Sequence, residues 1–298
     1  MRVTDRMMSM NLSQHLHNSM RRMDKFYDQL STGKKFSRPS EDPMGALFSM
    51  RARNDIEIND QFRKNVESAE DWLNNTDNLL DNLGKIAHRT SELMVQAANE
   101  TYEQTSFDSI AKEVEELREG LLELANTRFG DRYIFSGQRT QSPAYERVID
   151  TGTGEVSFNY LGDDGGITFR LAPGAEVSIN LNGEEVFQPF FDILGNFMEN
   201  LSNGDSQAIS QDDKAAINQQ MDNFLAQRAE VGALGRRMEL SKERLLDQEV
   251  HLRKSLADAE SVDIPKVIAE LNMEENVYRS ALAAGARIVQ PSLIDFLR

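Results

Sequence analysis

The sequence predicts a mainly α-helical chain: an elongated antiparallel helical rod or coiled coil formed by the N- and C-terminal segments, carrying a small β-rich insert in mid-chain. Two observations lead to this. Apolar residues recur at alternating steps of four and three along most of the 298 residues, and near the middle that period changes to two. A helix repeats every 3.6 residues and a strand every two, so the spacings separate the two kinds of element. Composition agrees, because 39% apolar and 7% aromatic residues suit thin helices better than a thick core.

The first stripe is Leu12, Leu16, Ser19, Met23, Phe26 and Leu30. So narrow a stripe hides its apolar atoms only against another helix with a similar one. Gly33 can take the left-handed conformation that closes a helix. A connector follows through Arg38, Pro39 and Ser40, after which Asp42 reads as an N-cap with Pro43 at the first helical position. The second helix carries Ile58, Phe62, Val66, Ala69, Leu73, Thr76, Leu80, Leu83, Ala87, Thr90, Met94 and Ala97 on one seam. At roughly 1.5 Å per residue, a helix over 46–98 is on the order of 75 Å long.

A turn near 99–105 leads to a third helix with Phe107, Ile110, Val114, Leu117, Leu121 and Leu124 inward. After Gly130 the segment Tyr133-Ile134-Phe135 reads as a short strand. Val156/Phe158/Tyr160, Ile167/Phe169/Leu171 and Val177/Ile179/Leu181 then alternate between glycine-rich turns. Helical spacing resumes near 190, and Ile217, Phe224, Val231, Met238, Leu245 and Leu252 lie seven apart. The complementary positions include Arg228, Gly235, Lys242 and Glu249, so this seam should be only partly buried. Ser261 to Pro265 breaks the helix before a last stripe of Ile268, Leu271, Glu275, Tyr278, Leu282, Gly285 and Val289, with Leu293 beyond it. The order is palindromic, which sets terminal coiled-coil segments (1–40 and 259–298), a helical body (41–141 and 188–258) and the insert (142–187). Such a plan places both termini at one end of a rod and the insert at the other.

Charge bears on partners. The net charge is −16, but residues 1–40 carry +5 and 259–298 carry −2, so the middle holds −19. A body this acidic repels nucleic-acid phosphates and anionic lipid. Opposite signs at the two ends favour their pairing, or pairing with the same ends of other copies. No run approaches a membrane span, and the opening residues lack the apolar segment of a secretory signal. The chain is therefore expected to be cytosolic, or exported without cleavage. Zero cysteines exclude disulfides, thiolate metal sites and cysteine nucleophiles.

Chemistry is hard to find. His15 and His17 lie on nearly opposite sides of a helix, His88 and His251 are isolated, and methionines such as Met7 and Met10 more often fill adaptable contacts than bind soft metals. The carboxylates stand beside no nucleophile and read as a solvated surface. The glycines within 162–166 (Gly162, Gly165 and Gly166) lack the strand–turn–helix setting of a phosphate loop. Lys34, Lys35 and Arg38 read as connector rather than phosphate site. No enzyme activity, cofactor or metal is expected, which leaves a secreted cell-wall hydrolase or a coiled-coil sensor without a supporting motif.

Three segments resemble a known family. STGKKFSRPSEDPMGA (31–46), LREGLLELANTRFGDRYIFSGQRTQSPAY (117–145) and ARIVQPSLIDFLR (286–298) are similar to the flagellin superfamily, and within it to the hook-associated branch rather than to flagellin itself. Glu41 stands where that branch usually has aspartate, and the insert is short. The resemblance implies a non-enzymatic structural subunit of the bacterial flagellum, extracellular at the hook–filament junction after type III export without a cleaved signal. It implies a ring of copies of this chain, contacts to a neighbouring hook-associated protein and to flagellin, and an export chaperone on the C-terminal helix. Membrane insertion and nucleic acid have no place in it. The interface residues it points to are Leu12, Leu16, Met23, Phe26, Leu30, Ile268, Leu271, Tyr278, Leu282, Val289 and Leu293. The hinge residues are Gly33, Arg38, Pro39, Ser40, Asp42 and Pro43. A filament-forming flagellin is the alternative within the family.

Overall fold

Helix follows helix in a computed structural model that describes residues 2–98, 104–149 and 156–289. The elements are α1 (Arg2–Thr32), α2 (Pro43–Ala97), α3 (Gln104–Ala125), β1 (Arg128–Phe129), β2 (Arg132–Tyr133), β3 (Tyr145–Ile149), β4 (Val156–Tyr160), β5 (Thr168–Ala172), β6 (Ala175–Ser178), α4 (Gly183–Asn203), the single turn α5 (Ser206–Ala208), a π-helical turn (Ile209–Asp213), α6 (Lys214–Glu260) and α7 (Ile264–Val289). The chain is mainly α with small antiparallel sheets, as its two periods predict. It divides into two compact units, residues 1–59 with 248–298, and residues 60–247; the division falls within α2 and α6.

The larger unit holds the core. On α2 the seam from Val66 to Ala97 is buried as its spacing predicts, and on α6 Ile217, Phe224, Val231, Met238 and Leu245 are buried too. Arg228 and Lys242 stay half-exposed on α6 and pair with acidic residues of α2: Arg228 Nε lies 2.9 Å from Asp77 and Nη1 3.1 Å from Asp81, and Lys242 Nζ lies 2.9 Å from Glu70. On α3 the inward positions are Phe107, Ile110, Val114, Arg118, Leu121 and Ala125, with Leu117 and Leu124 only half-buried. The buried guanidinium of Arg118 is satisfied at both Nη atoms, Nη1 lying 3.4 Å from Glu115 Oε2, while its Nε has no partner among the described residues. Nη2 donates to Val156 O at 3.0 Å, Nη1 lies 3.2 Å from Met198 Sδ, and the group sits 5.0 Å from the Phe158 ring.

Helix α4 starts at Gly183, inside the stretch assigned above to the β insert and earlier than the expected resumption near 190. Asn182 supplies the start, its side chain accepting from Glu184 N at 2.9 Å, and Gly204 closes the end at φ 67°. Its buried residues Phe187, Phe190, Phe191 and Phe197 make it the centre of the core. Phe191 stacks on Phe158 at 4.4 Å and meets Tyr145 at 5.0 Å. The β region is three separate two-stranded hairpins, β1–β2, β3–β4 and β5–β6. Strand β3 was not foreseen, and the short strand near 133 proves to be Arg132–Tyr133, with Ile134 and Phe135 buried just after it.

The motif residues of 126–137 shape this unit. Asn126 bonds both backbone groups of Tyr145, donating to its carbonyl and accepting from its N–H, each at 2.9 Å, and so acts as a strand partner. Ser136 Oγ donates to Ser142 O at 2.9 Å. Gly137, at φ 64°, leaves no room for a Cβ against the Asp163 carbonyl.

Candidate functional site

The smaller unit has almost no core. Its buried apolar side chains among the described residues are Phe36, Ala46, Val267 and Leu271, yet it carries most of the exposed large apolar ones. It consists of α1 packed antiparallel on α7, the first turns of α2, the end of α6, and two connectors.

On α1 the expected stripe faces the partner. Leu12, Leu16, Met23, Phe26 and Leu30 are half-buried and Ser19 is buried. On α7 the contact line is Val267, Leu271, Glu274, Tyr278, Ala281 and Gly285, spaced four and three. This is one residue, or about 100°, round from the expected line at three places, with Val267 for Ile268, Glu274 for Glu275 and Ala281 for Leu282. Ile268 and Leu282 are each 45% exposed on the outer side. The polar groups decide the difference. Glu274 accepts from Ser19 Oγ at 2.5 Å and from Arg22 Nη2 at 2.6 Å, so Glu274 rather than the expected Glu275 sets its carboxylate inward against α1. These bonds, Arg22 foremost, hold the Glu274 carboxyl below its ordinary range. Tyr27 Oη donates to Glu275 at 3.0 Å, which pushes the phenol up. Gly285 gives close approach to α1, because a Cβ there would push the end of the Leu12 side chain aside. The side chain of Val289, and all of Leu293, lie outside the described residues.

The connectors are stitched together. Gly33, at φ 70°, ends α1 with its N–H on Gln29 O at 2.9 Å. Lys35 N then donates to Glu260 O at 2.7 Å, and Val262 N donates to Gly33 O at 3.0 Å, so 33–35 and 260–262 run as a short antiparallel bridge. Lys35 Nζ adds a bond to Asp258 O at 2.7 Å. Arg38, Pro39 and Ser40 form an exposed turn closed by Glu41 N on Arg38 O at 3.0 Å. Asp42 caps α2, accepting from Gly45 N at 2.9 Å, with the exposed Pro43 at the first helical position.

Glu260 is the hub, and sequence reasoning missed it. It is 8% exposed. Arg53 clasps its carboxylate through Nη2 at 2.7 and 2.9 Å and Nε at 3.1 Å, and Lys34 Nζ approaches at 3.1 Å. Burial pushes this carboxyl up, but the two cations outweigh it and the net shift is down. The signal available in the sequence was a glutamate directly before a helix break, facing a basic connector. Among the described residues no cluster of three or more His, Asp or Glu side chains is placed to hold a metal, and no helix is long and apolar enough to cross a membrane.

The sequence and the helical fold have relatives among known proteins. The family profile of the bacterial flagellin N-terminal helical region matches residues 3–140. The chain is similar to the flagellin superfamily, and proteins of the hook-associated type are among its relatives. Flagellar hook-associated protein 3 of Escherichia coli is 27% identical to it over 188 residues, 63% of this chain. The chain spans only 57% of that relative's length. The solved structure of FlgL from Bacillus cereus superposes with a TM-score of 0.59 at 26% identity, covering 70% of this chain and 99% of that one. Flagellin of Bacillus subtilis is 22% identical over 318 aligned positions that cover both chains fully.

Proposed function

We propose that the chain is a structural subunit of the bacterial flagellum that joins hook to filament and polymerises through its terminal helices after type III export. One observation carries this reading: the smaller unit closes only a thin seam within the chain and leaves large apolar side chains on its outer faces. Ile268 and Leu282 belong to that outer face of α7, so they are free to meet other copies while Leu271 and Tyr278 serve the internal pair. Apolar surface so concentrated marks an association surface. The partners are further copies in a ring, a neighbouring hook-associated protein on one side and flagellin on the other. An export chaperone would hide the same α7 face beforehand. The stitched connector is the joint at which the terminal pair meets the rest of its unit.

Deleting the gene and inspecting the culture tests the role. Bare hooks, with flagellin leaking into the medium, are expected; normal filaments would reject it. The full-length alignment to a flagellin favours a second reading, a filament subunit. Purified chain added to filament seeds separates the two, since a flagellin elongates them without limit and a junction protein stops.

A further inference from the structure

We propose that the outer surface of the smaller unit is a methionine-oxidation site, at which hydroperoxides switch off self-association. The inference rests on the assembly reading above and adds a chemical control to it.

The chain has 13 methionines and no cysteine, so thioethers are its softest nucleophiles. Their placement is uneven. Met7, Met8, Met10 and Met20 on α1, Met44 and Met50 on α2, and Met273 on α7 are between 48% and 67% exposed, and all belong to the smaller unit. In the larger unit Met94 and Met238 are fully buried, and Met198 and Met221 are half-buried against the core. Among the described residues, therefore, every methionine that projects freely into solvent does so from the unit with the exposed apolar faces. Unbranched and polarizable, methionine suits a surface that must fit several neighbours, and it leaves that surface open to oxidants before the neighbours arrive.

The step balances without a cofactor. The thioether sulfur attacks the outer oxygen of the hydroperoxide, the O–O bond breaks and an S–O bond forms. Sulfur gives up two electrons, the peroxide is reduced by two, and the displaced oxygen leaves with a proton as water or an alcohol. The product sulfoxide is polar and a strong hydrogen-bond acceptor, so burying it against another copy costs desolvation where burying the thioether gained it.

The test treats the full chain with hydrogen peroxide, maps sulfoxide by peptide mass spectrometry, and measures association by sedimentation. The seven exposed methionines should oxidise on the order of tenfold faster than Met94 and Met238, following exposure. Association should weaken by about tenfold or more, as apolar contact area becomes polar. Methionine sulfoxide reductase should restore it. A variant with all seven changed to leucine keeps the surface apolar, so its association, whatever its strength in buffer, should not change on peroxide treatment. Equal oxidation of Met94 and Met238, undiminished association of the oxidised chain, or peroxide sensitivity persisting in the leucine variant would each overturn the proposal. Failure of untreated chain to associate at all would instead overturn the assembly reading, and the control with it, while the mass map would still report whether the site is selective.

Discussion

Removing the carboxylate of Glu260 should loosen the joint between the connectors without unfolding the larger unit. A fully buried ion pair that loses one partner costs about 3–5 kcal/mol, because the remaining charge stays desolvated. Here the glutamate side chain is only 11% exposed, but Arg53 is 55% exposed and Lys34 43%. The stranded cations can rehydrate, so the cost moves toward the lower range of about 0–1 kcal/mol per exposed pair. Two such pairs give about 1 kcal/mol for Glu260→Gln, which keeps an acceptor, and about 2 kcal/mol for Glu260→Ala, which keeps none. Amide hydrogen exchange reads this where it matters, at Lys35 and Val262, whose N–H groups cross between the connectors. With about 1.4 kcal/mol to a factor of ten, exchange there should quicken about fivefold in the first variant and about thirtyfold in the second. Lowering the pH should imitate them. A carboxyl held below its ordinary value contributes fully above about 4.5 and is lost as pH falls through its lower folded value. Unchanged exchange at Lys35 and Val262 in Glu260→Ala, or equal acceleration at Val177 in the β5–β6 hairpin, would refute the reasoning.

Arg118→Ala should destabilise the larger unit by about 2–3 kcal/mol in urea, followed by the fluorescence of the single tryptophan Trp72, because it strips the donor from the Val156 carbonyl; Arg118→Met, which fills the space, should cost less. Burial pushes the Asp213 carboxyl up against the opposing bond from Asn200. The stability that group contributes is complete below the ordinary aspartate value and is lost as pH rises through the folded one, so Asp213→Asn should stabilise by about 0.5–1 kcal/mol at neutral pH and by nothing below pH about 4. Burial likewise raises Tyr145 and pushes Tyr160 up to about 12. Their contribution is intact below pH about 10 and drains away above it, and tyrosinate absorbance should show both ionising together with alkaline unfolding.

The fold was legible wherever the residue that packs is also the residue that looks apolar. Leu12 to Leu30, Val66 to Ala97 and Ile217 to Leu245 satisfy that condition, and their seams could be read from spacing alone. It fails where a polar group is buried with a partner distant in sequence. Glu274 sits on the α1 side because Ser19 and Arg22 receive it, and Arg118 lies inward because Val156 and Phe158 do. Strand β3 escaped notice for a related reason. In Tyr145-Glu146-Arg147-Val148-Ile149 only the tyrosine is buried, so no alternation marks it, and its pairing with β4 joins residues up to fifteen apart. At the connector, Gly33, Asp42 and Pro43 could be placed by their backbone chemistry. Glu260 could not, because its two cations come from elements more than two hundred residues earlier.

The pairing of α6 with α2 hides an ambiguity that its charges resolve. Apolar residues seven apart on α6 look the same after a slide of seven, so hydrophobic contact alone would accept several alignments. The ions do not. Sliding one way carries Lys242 from Glu70 to Arg63, and sliding the other way leaves Arg228 opposite Gly84 with no carboxylate to meet. Contacts worth only a few tenths of a kcal/mol each at the surface thus act as notches on a ruler, admitting one alignment among several that grease alone would treat as equal.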